Sequence, residues 1–179
     1  MMEFKKKFLV IGNGNAVTYK EVFPYIKNNQ IWMGVSKGIG GKMSFYASDD
    51  YDNKHNYYNE DGRKLAQVNN ACWFTNIEHS KRHLPLDLYK HYNSKDYPKY
   101  DNYDAIECSK TLDIPIYYDG VIGVPITFLD KFCQDQFEIV GCSYKFGECG
   151  VHIDGKNWSP SVNNKNVYAR IFIRHKKHT

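Results

Sequence analysis

Four groups of side chains in this sequence have types and spacings that could do chemistry. Cys142, Cys149 and His152, with Cys133 upstream, are soft ligands of the kind zinc takes. Zinc knuckles space their cysteines by about two to four residues, and this spacing is longer, so ordinary buried thiols are expected and no metal site. His79 and His83 stand four apart in HSKRH, on one face if a helix forms there. No Glu adjoins the first His, and Pro85 limits the helix, so solvated or phosphate-facing side chains are expected. Gly34, Gly38 and Gly40 match the GxxxGxG spacing with which a backbone approaches a pyrophosphate at a helix N-terminus. The residues after it, GKMSFY, make no amphipathic helix, and no Tyr-x-x-x-Lys pair accompanies it. A flexible glycine turn is the expectation, with Lys37 and Lys42 placed to touch phosphate. Last, Gly12-Asn13-Gly14-Asn15 follows an apolar run. Asn13 and Asn15 carry short amides that suit a base edge or the cap of a following helix, and the sequence leaves both open.

The elements that position these residues follow from pattern. Phe8-Leu9-Val10-Ile11 is apolar at every position, which predicts a strand buried on both faces of a parallel sheet. Thr18 with Glu21 three residues on predicts a capping box, and Pro24 falls in or near the first turn of the helix, which Asn28-Asn29 ends. Ile31–Val35 predicts the next strand, completing a strand–helix–strand unit of the doubly wound kind. Residues 36–67 are polar and Tyr-rich and predict a long loop, with at most a strand over 43–47. Residues 71–77 predict a strand, 84–92 a short helix, 97–141 short apolar segments between turns, 142–164 turns, and 167–173 a closing strand before a basic tail.

Composition narrows the class. A length of 179 residues suits one domain or one with an appended subdomain. Fifteen Tyr and ten Phe supply rings for a core and for stacking on an extruded base. The net charge of +4 is unevenly spread. Lysines dominate through Lys42, the stretch 101–140 is acidic, and the last ten residues carry bases without an acid. That asymmetry permits a polyanion on one face and is equally met by ordinary solvated charge. Five scattered cysteines, no signal peptide and no apolar run long enough to cross a bilayer predict reduced thiols in a cytoplasmic protein.

Three blocks carry a resemblance. KKFLVIGNGNAVTYKEVFPYIKNNQIWMG (6–34), VNNACWFTNIEHSKRH (68–83) and GVPITFLDKFCQDQFEIVG (123–141) resemble, in the same order, the EcoRI-type adenine-specific DNA methyltransferases. The resemblance implies transfer of a methyl group from S-adenosylmethionine to adenine N6 in a restriction–modification system. It also implies that Met1 falls inside the family's catalytic domain. The family's Asn/Asp-Pro-Pro-Phe/Tyr turn is absent, since there is no Pro-Pro here, and no Gly-rich turn precedes the first strand.

The expectation is therefore an α/β chain: the C-terminal part of a doubly wound methyltransferase-like sheet over 1–83, then a β-rich target-recognition region over 84–179. Asn13, Asn15, Lys20, Lys37, Lys42, Arg82 and His83 are the expected DNA contacts. No catalytic, cofactor-binding or metal residue is expected in it. The expected partners are DNA and either an N-terminal methyltransferase half or a second copy paired through the first strand, with no membrane. A non-enzymatic DNA-binding module is the alternative, and a Tyr-rich protein-interaction fragment a third.

Overall fold

The computed structural model describes residues 6–35, 38–52, 56–143 and 159–176. They form a mixed α/β structure, mostly short strands, with one α-helix among them, α1 (Phe23–Lys27). The first sheet holds β1 (Leu9–Asn13) and β2 (Trp32–Met33) on either side of β6 (Ala71–Thr75), antiparallel to both. This corrects the reading of the first apolar run. β1 is an antiparallel edge strand, and Leu9, Val10 and Ile11 are exposed. Cys72, Phe74 and Met33 are buried on the face that meets the core, and Ala71 and Thr75 on the other face of β6 are buried as well.

The helix begins later than Thr18. Thr18 instead closes a 3-10 turn (Gly14–Thr18) and donates its hydroxyl to the Asn15 carbonyl at 2.9 Å. α1 starts after Val22 without a side-chain cap, has Pro24 in its first turn, and stops at Asn28. Asn29 then takes a left-handed φ of 56°, a conformation that asparagine tolerates.

The long loop expected over 36–67 is for the most part a second sheet. β3 (Lys42–Tyr46), β4 (Asn56–Tyr58) and β5 (Lys64–Asn69) pair antiparallel in the order β3-β5-β4. β3 is solvated on both faces, so its sequence carries no apolar alternation to betray it. Asn70, at φ 54°, turns the chain from β5 directly into β6.

The helix expected over 84–92 is also absent. Gln136 clamps this stretch in extended form, accepting from the Leu86 N–H at 2.7 Å and donating to the Leu86 carbonyl at 3.0 Å. The side-chain amide thus stands in for a neighbouring strand. β7 (Lys90–His91) follows and pairs parallel with β9 (Pro115–Ile116).

The second half is built on four strands in the order β11-β14-β10-β8: β8 (Ile106–Glu107), β10 (Ile122–Pro125), β11 (Phe137–Cys142) and β14 (Arg170–His175). β8 and β10 are parallel; the other pairs are antiparallel. β12 (Ser161–Val162) and β13 (Lys165–Asn166) form a hairpin whose turn residues Asn163 and Asn164 both have positive φ, as a tight hairpin turn demands. β14 is buried on both faces, with Ile171, Phe172 and Ile173 at 0% exposure. Its isoleucines join a cluster that contains Val17, Phe23 and Phe74 as well as Phe128 and Phe137. Phe172 points the other way, against Tyr100 and Tyr103.

Beside Phe172 lies a buried ion pair. Arg170 Nε donates to both Glu107 oxygens at 3.0 and 3.1 Å, and its Nη2 to Oε1 at 2.7 Å. The Tyr100 and Ser109 hydroxyls donate to the same carboxylate. Gly123 is small because a Cβ there would overlap the Tyr100 hydroxyl.

Candidate nucleic-acid interface

Three asparagines meet where β1 ends. Asn70 Nδ2 donates to the side-chain oxygens of Asn13 and Asn15, each at 3.1 Å. Asn13 Oδ1 also accepts from the Asn15 N–H at 2.9 Å. Asn70 Oδ1 accepts from the Gly40 N–H at 2.8 Å, and the Asn70 carbonyl from the Gly14 N–H at 2.7 Å. Asn70 thereby fixes which way both outer amides face. Their oxygens are occupied inward, and among the described residues the Nδ2 groups of Asn13 and Asn15 have no partner. The cluster offers donors, which suits phosphate oxygens or the acceptor edges of bases. Asn13 and Asn15 were expected from sequence; Asn70 was not. The available signal was Asn69-Asn70 just before an apolar strand, since asparagine favours left-handed turns.

The neighbouring glycine turn is pinned, not flexible. The Ile39 N–H donates to the Asp130 carboxylate at 2.8 Å, and the carboxylate fills the space a Cβ would need at Gly38. Burial pushes the Asp130 carboxyl up, and the Ile39 N–H opposes that. Gly40 has a φ of 79°, and the Gly41 carbonyl accepts from the Asn70 N–H. Lys42 opens β3 directly opposite Asn69, next to the turn residue Asn70, and is exposed. Lys20 is exposed, with Nζ 3.9 Å from Glu21. Lys37 lies outside the described residues.

Arg82 and His83 belong to another place. Arg82 is 5% exposed, and its guanidinium lies 3.4 Å over the Trp32 ring. It donates to Glu78, Asn29 and Gln134. All of this positions α1 and β2 against the start of β11. His83 sits in the following turn with Nδ1 2.8 Å from Asp135 and Nε2 3.2 Å from Glu78. Those carboxylates, Asp135 first, raise its pKa. His79 does not share a face with His83 on a helix; its Nε2 is 2.9 Å from the Met33 carbonyl.

A cleft of about 610 Å³ lies elsewhere, between residues 86–88 and the end of β14. Tyr117 overhangs it at 86% exposure with a left-handed φ of 62°. Asp87 and Asp119 also line it, a poor environment for phosphate. Cys72, Cys108, Cys133 and Cys142 are buried thiols, and burial pushes Cys72 and Cys108 up to about 12. Among the described residues no cluster has the makings of a metal site. Cys149 and His152 lie outside them.

The asparagine junction on this small-sheet α/β chain is a cluster of outward amide donors. Comparison with known proteins gives the class: the family model for the adenine-specific methyltransferase EcoRI matches residues 1–176. The chain belongs to that family. It is 42% identical over 181 residues to the type II methyltransferase M.EcoRI of Escherichia coli, covering 99% of this chain and 52% of the relative. M.MgeORF184P of Mycoplasma genitalium and M.MpnI of Mycoplasma pneumoniae, also type II methyltransferases, are 35% and 36% identical over 148 residues, each with 46% of the relative covered. The chain thus spans about half the length of these curated relatives. No solved structure matches it.

The glycines at the end of β1 and after β2 are filled by this chain's own atoms. A Cβ at Gly12 would meet the Phe74 ring, at Gly14 the Asn70 amide, and at Gly34 Trp73. These three glycines serve packing and leave no cradle there for S-adenosylmethionine. No helix among the described residues is long and apolar enough to cross a membrane.

Proposed function

We propose that this chain is the C-terminal portion of an adenine-specific (N6) DNA methyltransferase of a restriction–modification system and supplies part of its DNA-facing surface. In this reading residues 1–83 complete a larger doubly wound sheet and 84–179 form the recognition region. The S-adenosylmethionine site and the catalytic turn belong to other polypeptide. The observation that carries the reading is the outward pair of amide donors on Asn13 and Asn15, fixed by Asn70 and flanked by Lys42. Lys20 and, from the sequence, Lys37 are assigned to the same contacts. Arg82 and His83 lie away from this cluster, Arg82 as a support for α1 and β2 and His83 as a charge beside Asp135.

Titration of the pure chain against a DNA duplex at several salt concentrations tests this. Weak binding is expected, falling with a log–log slope of about 0.9 per phosphate contacted. Lys42→Ala should reduce that slope by about one contact, and Asn13→Ala with Asn15→Ala should weaken binding at every salt concentration. Binding indifferent to salt, or unchanged in the triple variant, sinks the assignment. The chain alone should incorporate no labelled methyl into DNA. Turnover by the pure chain would show that it carries its own reaction centre.

A further inference from the structure

The asparagine cluster is gripped by the glycine turn beside it. The Gly41 N–H donates to the Gly38 carbonyl at 2.9 Å, and Gly40, third in the turn, takes the positive φ that such a turn requires. This turn holds Asn70 twice. Its Gly40 N–H donates to Asn70 Oδ1 at 2.8 Å, and its Gly41 carbonyl accepts from the Asn70 N–H at 2.9 Å. Asn70 then holds the Asn13 and Asn15 oxygens through one Nδ2. The direction in which the two outer amides face is therefore set by where the turn sits.

Two side chains seat the turn. Ile39 is buried in the main core cluster, which fixes the depth of the turn but has no directional bond to fix its rotation. Asp130 supplies the direction. Its Oδ2 accepts from the Ile39 N–H at 2.8 Å, and the carboxylate occupies the volume that a Cβ at Gly38 would fill. Gly38 has no positive φ, so its backbone does not demand glycine; the carboxylate does. Asp130 lies near the end of the 3-10 helix Ile126–Lys131, where Phe128 and Leu129 are buried in the same core, so its aim is rigid. Among the described residues the Ile39 N–H is its one hydrogen-bond donor, with Lys81 and Lys131 nearby to favour its charge. A half-buried carboxylate costs desolvation, and an apolar residue would fill the volume at less cost. What an apolar residue cannot do is hold the Ile39 N–H. We infer that Asp130 is a positioning residue for the outward amide donors, acting through its interlock with Gly38 and Ile39 and from there through Asn70. This rests on the reading of those donors as DNA contacts, and it places their control in a residue 60 positions beyond Asn70 in the chain.

The direct readout is the side-chain amide NMR signals of Asn13, Asn15 and Asn70 in the full chain; the functional one is the duplex titration. Asp130→Leu keeps the bulk and removes the acceptor. It should shift or broaden all three signals and weaken duplex binding about fivefold, the worth of one ordinary hydrogen bond. Loss of a negative charge beside a polyanion site would by itself strengthen binding, so this direction separates positioning from charge. Asp130→Asn keeps an acceptor oxygen and should restore both readouts. Gly38→Ala puts a methyl where the carboxylate sits and should reproduce the effect of Asp130→Leu. In an Asp130→Ala background the room is free, and Gly38→Ala should add nothing further. Urea unfolding of each variant separates a displaced turn from a lost fold, and where Asp130→Leu does not fold, Gly38→Ala with Asp130→Asn carries the comparison. Asparagine signals unchanged in Asp130→Leu or, where that variant does not fold, in Gly38→Ala, or additive losses from Asp130→Ala and Gly38→Ala, overturn the inference. Displaced amides with duplex binding unchanged would leave the interlock standing and sink the DNA reading alone.

Discussion

β1 and β14 look alike as sequence and differ as structure. LVI in β1 and IFI in β14 are both continuous apolar runs. β14 lies between β11 and β10 with its three apolar side chains fully buried. β1 has one paired neighbour, and its three apolar side chains are exposed. An all-apolar run states that a strand needs cover on both faces; it does not state that the same stretch of chain provides it. β14 finds Phe137 and Val124 on one side and Tyr100 and Tyr103 on the other. Among the described residues β1 finds Phe74 and Cys72 on one side.

The sharpest way to break this contrast is to remove bulk from each strand and follow urea unfolding. Phe172→Ala should cost about 3–5 kcal/mol, while Ile11→Ala in the same chain should stay within about 0.5 kcal/mol. Equal losses would mean that β1 is covered after all. Next is the charge that only β14 can hold. Arg170→Met leaves Glu107 buried and uncompensated, and about 3–5 kcal/mol should be lost. Gly123→Ala on β10 is expected to cost about 1–3 kcal/mol, because the new methyl displaces the Tyr100 hydroxyl from Glu107.

The smallest effect is in pH. His83 keeps its proton to higher pH in the folded chain, chiefly through the hydrogen bond with Asp135. Its contribution is complete below the ordinary imidazole value of about 6.5 and fades as pH rises through the folded value. His175, at the end of β14, is lowered by burial and behaves oppositely: the unfolded chain takes the proton first, so stability falls as pH drops below about 6.5. Urea midpoints from about pH 5 to about pH 8 should show an alkaline decline that His83→Asn removes and an acid decline that it leaves. An alkaline decline that survives His83→Asn would place its source elsewhere.

How much of this was legible follows from where each signal lies. The three sequence blocks carried the family, and the closing strand over 167–173 was visible from its β-branched pattern. Its central place was not, because its partners β10 and β11 lie about thirty to fifty residues away and no local pattern reports them. β3 was visible as a strand over 43–47, but β4, β5 and the sheet they complete were hidden, because neither face of β3 is buried. Arg82 looked like a surface cation; stacking on Trp32 depends on β2 and the 3-10 turn Ser80–His83 meeting in space. Asn13 and Asn15 were found because a Gly-Asn-Gly-Asn run after an apolar strand is a local signal. Asn70, which holds them, is 55 residues away from Asn15.

The Asn13-Gly14 step has a consequence for ageing. Asparagine followed by glycine deamidates when the glycine amide nitrogen attacks the asparagine side-chain carbonyl carbon, closing a succinimide and expelling ammonia. Here that nitrogen is the Gly14 N–H, which the Asn70 carbonyl holds at 2.7 Å. The attack has to wait for the asparagine junction to open. Each molecule that ages carries a carboxylate, or a rerouted isoaspartyl backbone, where an outward amide donor had been. The slow accumulation of deamidated Asn13 in stored protein is therefore a clock for how often this junction comes apart.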